Sequence, residues 1–255
     1  IIFYTNWEFY KNNNLGFYWL DRNDHSDSTT ASGRPLASKP RWFGLRANGK
    51  LRTIPILFRY WSEFSLLRGS RPDKGRNFEA HAFDIGNTWA LNSSWEPSVT
   101  IGYAFGSGDP LPKDPTIKTF KQTSYHDNTG RFNGVATFQY YGQIFDPELS
   151  NLKILTLGTG VKPSSLFSFD FVYHSYRQVV PSKELEDTDL VEPLLTGFST
   201  DLGWGTDFIF GIEKFKNFDF KLIISYFKPG EAFATFFFFD QAQTWYSRLA
   251  VEFNF

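Results

Sequence analysis

The sequence contains no cysteine and no methionine, and only 4 histidines in 255 residues. Without cysteine there is neither a disulfide framework nor a thiolate metal site, and an oxidising compartment is safe for the chain. Without methionine there is no initiator residue, so we read the chain as a processed product or fragment whose signal peptide is already gone. No run of about 18 apolar residues occurs, which excludes a transmembrane helix. Net charge is scarce too: 26 Lys and Arg against 27 Asp and Glu leave −1, so no nucleic-acid footprint is present. The histidines, His25, His81, His126 and His174, are scattered. Along an extended strand Asp170 would lie about 13 Å and Ser168 about 20 Å from His174, beyond proton transfer, and no enzyme activity is expected. Asp109, Asp114 and Asp127 fall on loops, but no twelve-residue calcium loop surrounds them. We expect no metal and no cofactor.

What the chain holds in excess is aromatic: 30 Phe, 12 Tyr and 8 Trp, 20% of all residues, with a mean hydropathy of only −0.34. Alternation reconciles the two. In the segment Thr244 to Phe255, Trp245, Leu249, Val251, Phe253 and Phe255 share one face, and Tyr246, Arg248, Ala250, Glu252 and Asn254 the other. That period of two is a β-strand with one oily and one wet side. Phe167, Phe169, Phe171 and Tyr173 alternate with Ser168, Asp170 and His174. Val99, Ile101, Tyr103 and Phe105 alternate with Ser98, Thr100, Gly102 and Ala104. The wet sets are small and charged in strand after strand, as a hydrated lumen requires, so lipid outside and water inside explain both faces. A soluble sandwich is the competing reading. Asn77 to Leu91 is less regular, with Asn87 on its oily face, and Asn151 to Val161 is ambiguous because Ile154 and Leu155 are both apolar.

Turn signals sit at Asn12-Asn13-Asn14, Asn48-Gly49-Lys50, Asn92-Ser93-Ser94, Lys162 to Ser165 and Lys216-Asn217. Longer polar stretches run from Asp24 to Pro40, Gly69 to Gly75, Ser107 to Ser150, Gln178 to Asp201 and Gly230 to Gln243. Short turns on one rim and long loops outside are how a membrane barrel is organised. The expected fold is therefore an all-antiparallel transmembrane β-barrel, one domain over residues 1–255, with about eleven strands here. Counting back from a periplasmic Phe255 makes the first strand descend from outside. Barrels of this kind have even strand numbers, so N-terminal strands are expected to be missing from the chain, unless Gly134 to Phe145 hides another strand or pair.

The inward basic set is Arg22, Arg46, Arg59, Lys221 and Arg248, with His174 joining at low pH; the inward acids are Glu8, Glu63, Asp84, Asp170, Asp207, Glu213, Asp219 and Glu252. Rings of charge select solutes in a pore, although such groups also brace the wall, as Arg59 with Glu63, four residues on, would do. Outside, Lys113, Lys118 and Lys121 fall on the third long loop.

Three stretches carry a resemblance: Tyr103-Ala104-Phe105-Gly106-Ser107-Gly108-Asp109, then Asp146-Pro147-Glu148-Leu149-Ser150-Asn151-Leu152, then Tyr226-Phe227-Lys228-Pro229-Gly230-Glu231-Ala232-Phe233. In order and spacing they resemble the C-terminal part of the alginate-export family of bacterial outer-membrane barrels, and the aromatic end resembles the assembly signal of such barrels. The resemblance implies a barrel of 16–18 strands, integral to the outer membrane, that exports a polysaccharide or oligosaccharide. It implies contact with outer-membrane lipid and lipopolysaccharide, and periplasmic proteins as further partners. A polyanion conduit should be dominated by Arg and Lys; the set here is mixed, so either the missing portion carries the basic arc or the solute differs. The expected function is passive passage of a hydrophilic solute. The alternatives are a general or nutrient-uptake porin and a plugged barrel that scaffolds a partner complex. Ion conductance separates channel from scaffold.

Overall fold

The protein was analysed as a computed structural model that describes residues 1–29, 35–123, 128–185, 188, 195–215, 218–233 and 244–253. The strands are β1 (Ile2–Tyr10), β2 (Asn13–Asp21), β3 (Asp24–Thr29), β4 (Pro35–Thr53), β5 (Ile56–Arg71), β6 (Arg76–Leu91), β7 (Ser98–Gly106), β8 (Thr116–Ile117), β9 (Thr129–Gly130), β10 (Phe138–Gln139), β11 (Leu152–Val161), β12 (Phe167–Gln178), β13 (Asp201–Phe215), β14 (Phe218–Pro229) and β15 (Thr244–Phe253). Eleven of them form one meander in the order β1-β2-β4-β5-β6-β7-β11-β12-β13-β14-β15, every neighbouring pair antiparallel. Among the described residues the sheet is open: its path begins at β1 and ends at β15.

Register carries the oily face across the wall. Phe17 opposes Leu45, Leu45 opposes Phe64, Phe64 opposes Phe83 and Phe83 opposes Phe105. Further along, Phe171 opposes Phe208, which opposes Ile224. Much of this face is exposed among the described residues: Leu45 is 51%, Ile85 50% and Val99 57% exposed. A continuous apolar surface of this extent is untenable in water and is the natural surface of a barrel in hydrocarbon. Ladder hydrogen bonds meanwhile satisfy the backbone, which lipid demands. Among the described residues no second sheet packs on this face, so the sandwich reading fails. Asn87 does sit on it, opposite Tyr60 and Ile101. In β11 the ambiguity resolves with Leu155 outward and Ile154 inward and fully buried.

One expected turn is absent. β4 runs straight through Asn48-Gly49-Lys50, and the chain reverses at Ile54-Pro55. Gly49 is there for close approach: a Cβ at this position would stand 2.2 Å from the Asn13 Oδ1. Asn13 in turn donates to the Lys11 and Lys50 carbonyls (2.8 and 3.2 Å) and accepts from the Tyr60 hydroxyl. The Asn-Gly pair reads as a hairpin in sequence but supplies packing room in the sheet.

The second correction concerns the long segment between β7 and β11, expected outside unless Gly134 to Phe145 supplied another strand or pair. After Phe120 it dives inside the curve of the sheet. Its aromatic residues supply the reason: Phe132, Phe138, Tyr141 and Phe145 are all buried against the inner face, burial worth about 1.5–3 kcal/mol for each large apolar side chain. Among its described residues the segment holds two short pairings, β8 in parallel with β6 and β9 with β10, and no further full-length wall strand. It also proves the curvature. Arg131 reaches Glu213 on β13 at 3.3 Å, while Phe132 stacks on Trp61 of β5 with ring centres 5.7 Å apart. In a flat sheet those strands, five steps apart, would be separated by about 24 Å.

Candidate functional site

The inserted segment is stapled at the long-loop rim. The Ser107 carbonyl accepts from the Phe120 and Asn151 amides (2.9 and 3.3 Å), and its hydroxyl donates to the Lys118 carbonyl. Asn151 holds the other end, exchanging hydrogen bonds with Val180 through its side-chain amide. Just outside, Arg76 pairs with Asp109 at 3.0 Å and Asp114 at 3.7 Å, and Lys118 pairs with Asp114. The Asp114 carboxyl is held below its ordinary range, first by the Thr116 amide and then by Lys118. These carboxylates are thus consumed by loop packing, and Asp127 lies outside the described residues.

From there the segment descends along the inner wall. Its tip donates the Val135 amide to the Ser168 hydroxyl (2.8 Å), sets Ala136 over Gly211, and accepts Lys221 at the Thr137 carbonyl (3.0 Å). Ser168 is the second residue of β12, so the tip reaches close to the short-turn rim. On the way back the Tyr141 hydroxyl donates to Asp84 Oδ2, while Trp61 Nε1 donates to Asp84 Oδ1, both at 2.9 Å. The Gln143 amide donates to Asp207 (3.3 Å), whose carboxylate lies 3.4 Å from His174 Nε2; Thr156 meets the other ring nitrogen at 3.0 Å. Phe145 packs edge-on to Tyr176 and flat on Phe227.

Gly142 makes the return possible. Its φ is +98°, and a Cβ there would lie 2.1 Å from the Tyr176 hydroxyl, which donates to the Tyr141 carbonyl. Gly142→Ala is expected to cost about 2–4 kcal/mol from backbone strain and a broken buried hydrogen bond. Thermal melting in detergent and limited proteolysis of the segment measure this; an unchanged melt with unchanged cleavage would refute the fastening described here.

The expected inward residues now divide by what covers them. Asp84, Asp170, His174 and Asp207 point inward but lie beneath the inserted segment; His174 is 0% and Asp207 2% exposed. Arg22 lies over the Trp42 ring at 5.3 Å. Glu63 accepts from Tyr18 and faces Arg46 at 3.8 Å rather than Arg59. Glu213 pairs with Arg131, and Lys221 is tied to the segment tip. Asp219 opposes Glu252 and Ile223 opposes Arg248 in register; the side chains of Glu252 and Arg248 lie outside the described residues.

Among the described residues a cleft of about 490 Å³ stays open to water between the inner faces of β2, β4 and β5 and the inserted segment, and a smaller cavity of about 110 Å³ lies beside it, lined by Arg46, Glu63 and Asp84 among others. The charged lining of the larger cleft is Arg46, Lys50, Arg59, Arg131 and Glu8. Lys50 and Arg59 stand directly opposite each other in register, a like-charged pair that repels unless an anion lies between. Arg59 Nε is buried without a hydrogen-bond partner. Two of these cations were not among the inward residues expected from sequence. Lys50 was hidden by the turn assigned to 48–50. Arg131 lies on a loop, where no strand parity applies, and its only local signal was the aromatic density beside it.

A family model described as Alginate export matches residues 2–236. The chain is also 27% identical over 143 residues to the alginate production protein AlgE of Azotobacter vinelandii, an alignment covering 53% of this chain and 29% of that relative. The chain thus spans less than a third of the length of that curated relative.

Proposed function

This chain belongs to the alginate export family, a family of transport barrels, and on that premise we propose that it walls an outer-membrane conduit through which an anionic polysaccharide passes passively. The observation that carries this reading is the charge left exposed in the cleft. The inward residues as a whole are mixed, but the inserted segment covers Asp84, Asp170 and Asp207. Lys50, Arg59 and Arg131 remain beside the open path, with Arg46 next to them and Glu8 the single acid against these four cations in the lining. Guanidinium forks match the planar carboxylates of a uronate chain, and the ammonium adds a point charge. Half-exposed pairs such as Arg46–Glu63 and Arg131–Glu213 exchange partners at little cost, so a passing carboxylate is held weakly and released, as conduction requires. Outer-membrane lipid surrounds the barrel, and a periplasmic synthesis partner at the short-turn rim separates export from uptake.

The test is electrophysiological. Intact protein in a planar bilayer should conduct ions, and millimolar oligouronate should block the current while a neutral oligosaccharide of equal length should not. Equal block by both would remove the polyanion assignment. The plugged-scaffold alternative draws on the inserted segment itself, and the absence of any conductance would decide for it.

A further inference from the structure

A second charged feature lies on the outside of the wall, away from the cleft. Tyr173, Trp204 and Tyr226 touch in a line across β12, β13 and β14, with ring centres 6.0 and 5.3 Å apart. All three are on the lipid-facing side, and such a girdle marks the membrane–water interface. Toward the long-loop rim from it, cations occupy lipid-facing positions, Arg177 beyond Ser175 on β12 and Lys228 at the next such position after Tyr226 on β14. Lys153 on β11 stands directly opposite Arg177 on β12, and Lys228 on β14 stands opposite Trp204. Arg177 and Lys228 are exposed. Among the described residues none of the three forms an ion pair. Asp201, the register neighbour of Arg177, turns its carboxylate to the Gly203 amide at 3.1 Å instead.

Facing residues on one side of an antiparallel pair have Cβ atoms about 5 Å apart, where like charges destabilise the sheet. A pair in that position at the membrane surface is stabilised by an anion that both can reach. The depth selects its kind: it must sit at headgroup level, just beyond the aromatic girdle, in the leaflet on the long-loop side. We infer that Lys153 and Arg177, assisted by Lys228, form a binding site for a phosphate of the phosphorylated glucosamine lipid of the outer leaflet. Arg177 takes two phosphate oxygens through its fork, and Lys153 supplies the second cation. The inference rests on the barrel lying in the outer membrane and not on what passes through its lumen.

The full chain in detergent is titrated with lipid A bearing two phosphates, lipid A stripped of both, and phosphatidylglycerol, with bound lipid read by native mass spectrometry. The diphosphorylated lipid should bind at least about tenfold more tightly than the other two, and Lys153→Gln/Arg177→Gln should abolish that margin. Arg177→Lys, which keeps the charge, should retain part of it. Lys153→Gln alone gives an independent sign: it should raise the melting temperature in lipid-free detergent by relieving repulsion, and lower it when diphosphorylated lipid A is present. Equal affinity of wild type for phosphatidylglycerol, unchanged binding by the double variant, or a fall in melting temperature without lipid would each overturn the assignment. Oligouronate block should be the same in the double variant as in wild type, so failure here and failure of the conduit reading are told apart.

Discussion

Replacing residues 123–147 with a short Gly-Ser linker is expected to raise single-channel conductance at least about twofold, because pore cross-section sets ion flow and the segment fills the lumen beside β6 and β11–β14. The linker spans easily: the Leu149 amide donates to the Gln122 side chain at 3.2 Å, so the two cut ends already adjoin. The same variant should melt at a markedly lower temperature. Excision uncovers Ile154, Val172, Tyr176, Ile209 and Ile223, all at most 1% exposed in the intact chain, and each large apolar group returned to water costs about 1.5–3 kcal/mol. It also strips Asp84 and Asp207 of the Tyr141 and Gln143 donors. Wider conductance with reduced stability is the joint signature of a fastened plug. Unchanged conductance would mean that the segment does not lie in the ion path, and unchanged stability would mean that it is not packed as described.

The second large effect concerns charge. Lys50→Gln/Arg59→Gln/Arg131→Gln should shift the reversal potential in a KCl gradient toward cation preference, with anion-to-cation permeability falling roughly threefold or more. The three cations line one cleft, and fixed charges act across a water path within about 8 Å at physiological ionic strength. Among the single substitutions Arg131→Gln should act most strongly, since it removes a cation and leaves Glu213 without that partner. Oligouronate block should weaken in parallel. Arg68→Gln is the control: Arg68 is on the opposite face of β5 from Arg59 and Glu63, where it donates to backbone carbonyls, and its loss should leave selectivity unaltered. If the triple variant keeps its ion preference, the cleft is not the selective path.

Particular residues show where sequence reasoning holds and where it stops. The parity of Phe167 to Gln178, of Ser98 to Gly106 and of Phe218 to Pro229 is right at every described position. Even the awkward Asn87 falls on the expected side. At Asn48-Gly49-Lys50 the same local signals mislead, because a glycine needed to admit Asn13 looks identical to one needed for a turn. That single misplacement removed Lys50 from the inward set. The segment between β7 and β11 is opaque for a different reason. Its hydrophobicity has no period, and its burial depends on partners such as Trp61, Val172 and Ile223, which are far away in the chain.

By itself the sequence determined the strand faces and the eleven-strand meander, because alternation of side chains is a property of neighbouring residues and needs no partner to be read. Only the tertiary structure decided which inward charges meet water. Asp170, His174 and Asp207 are buried, and Asp84 is partly covered, by a segment arriving from elsewhere in the chain, and the basic character of the cleft is what remains after that covering.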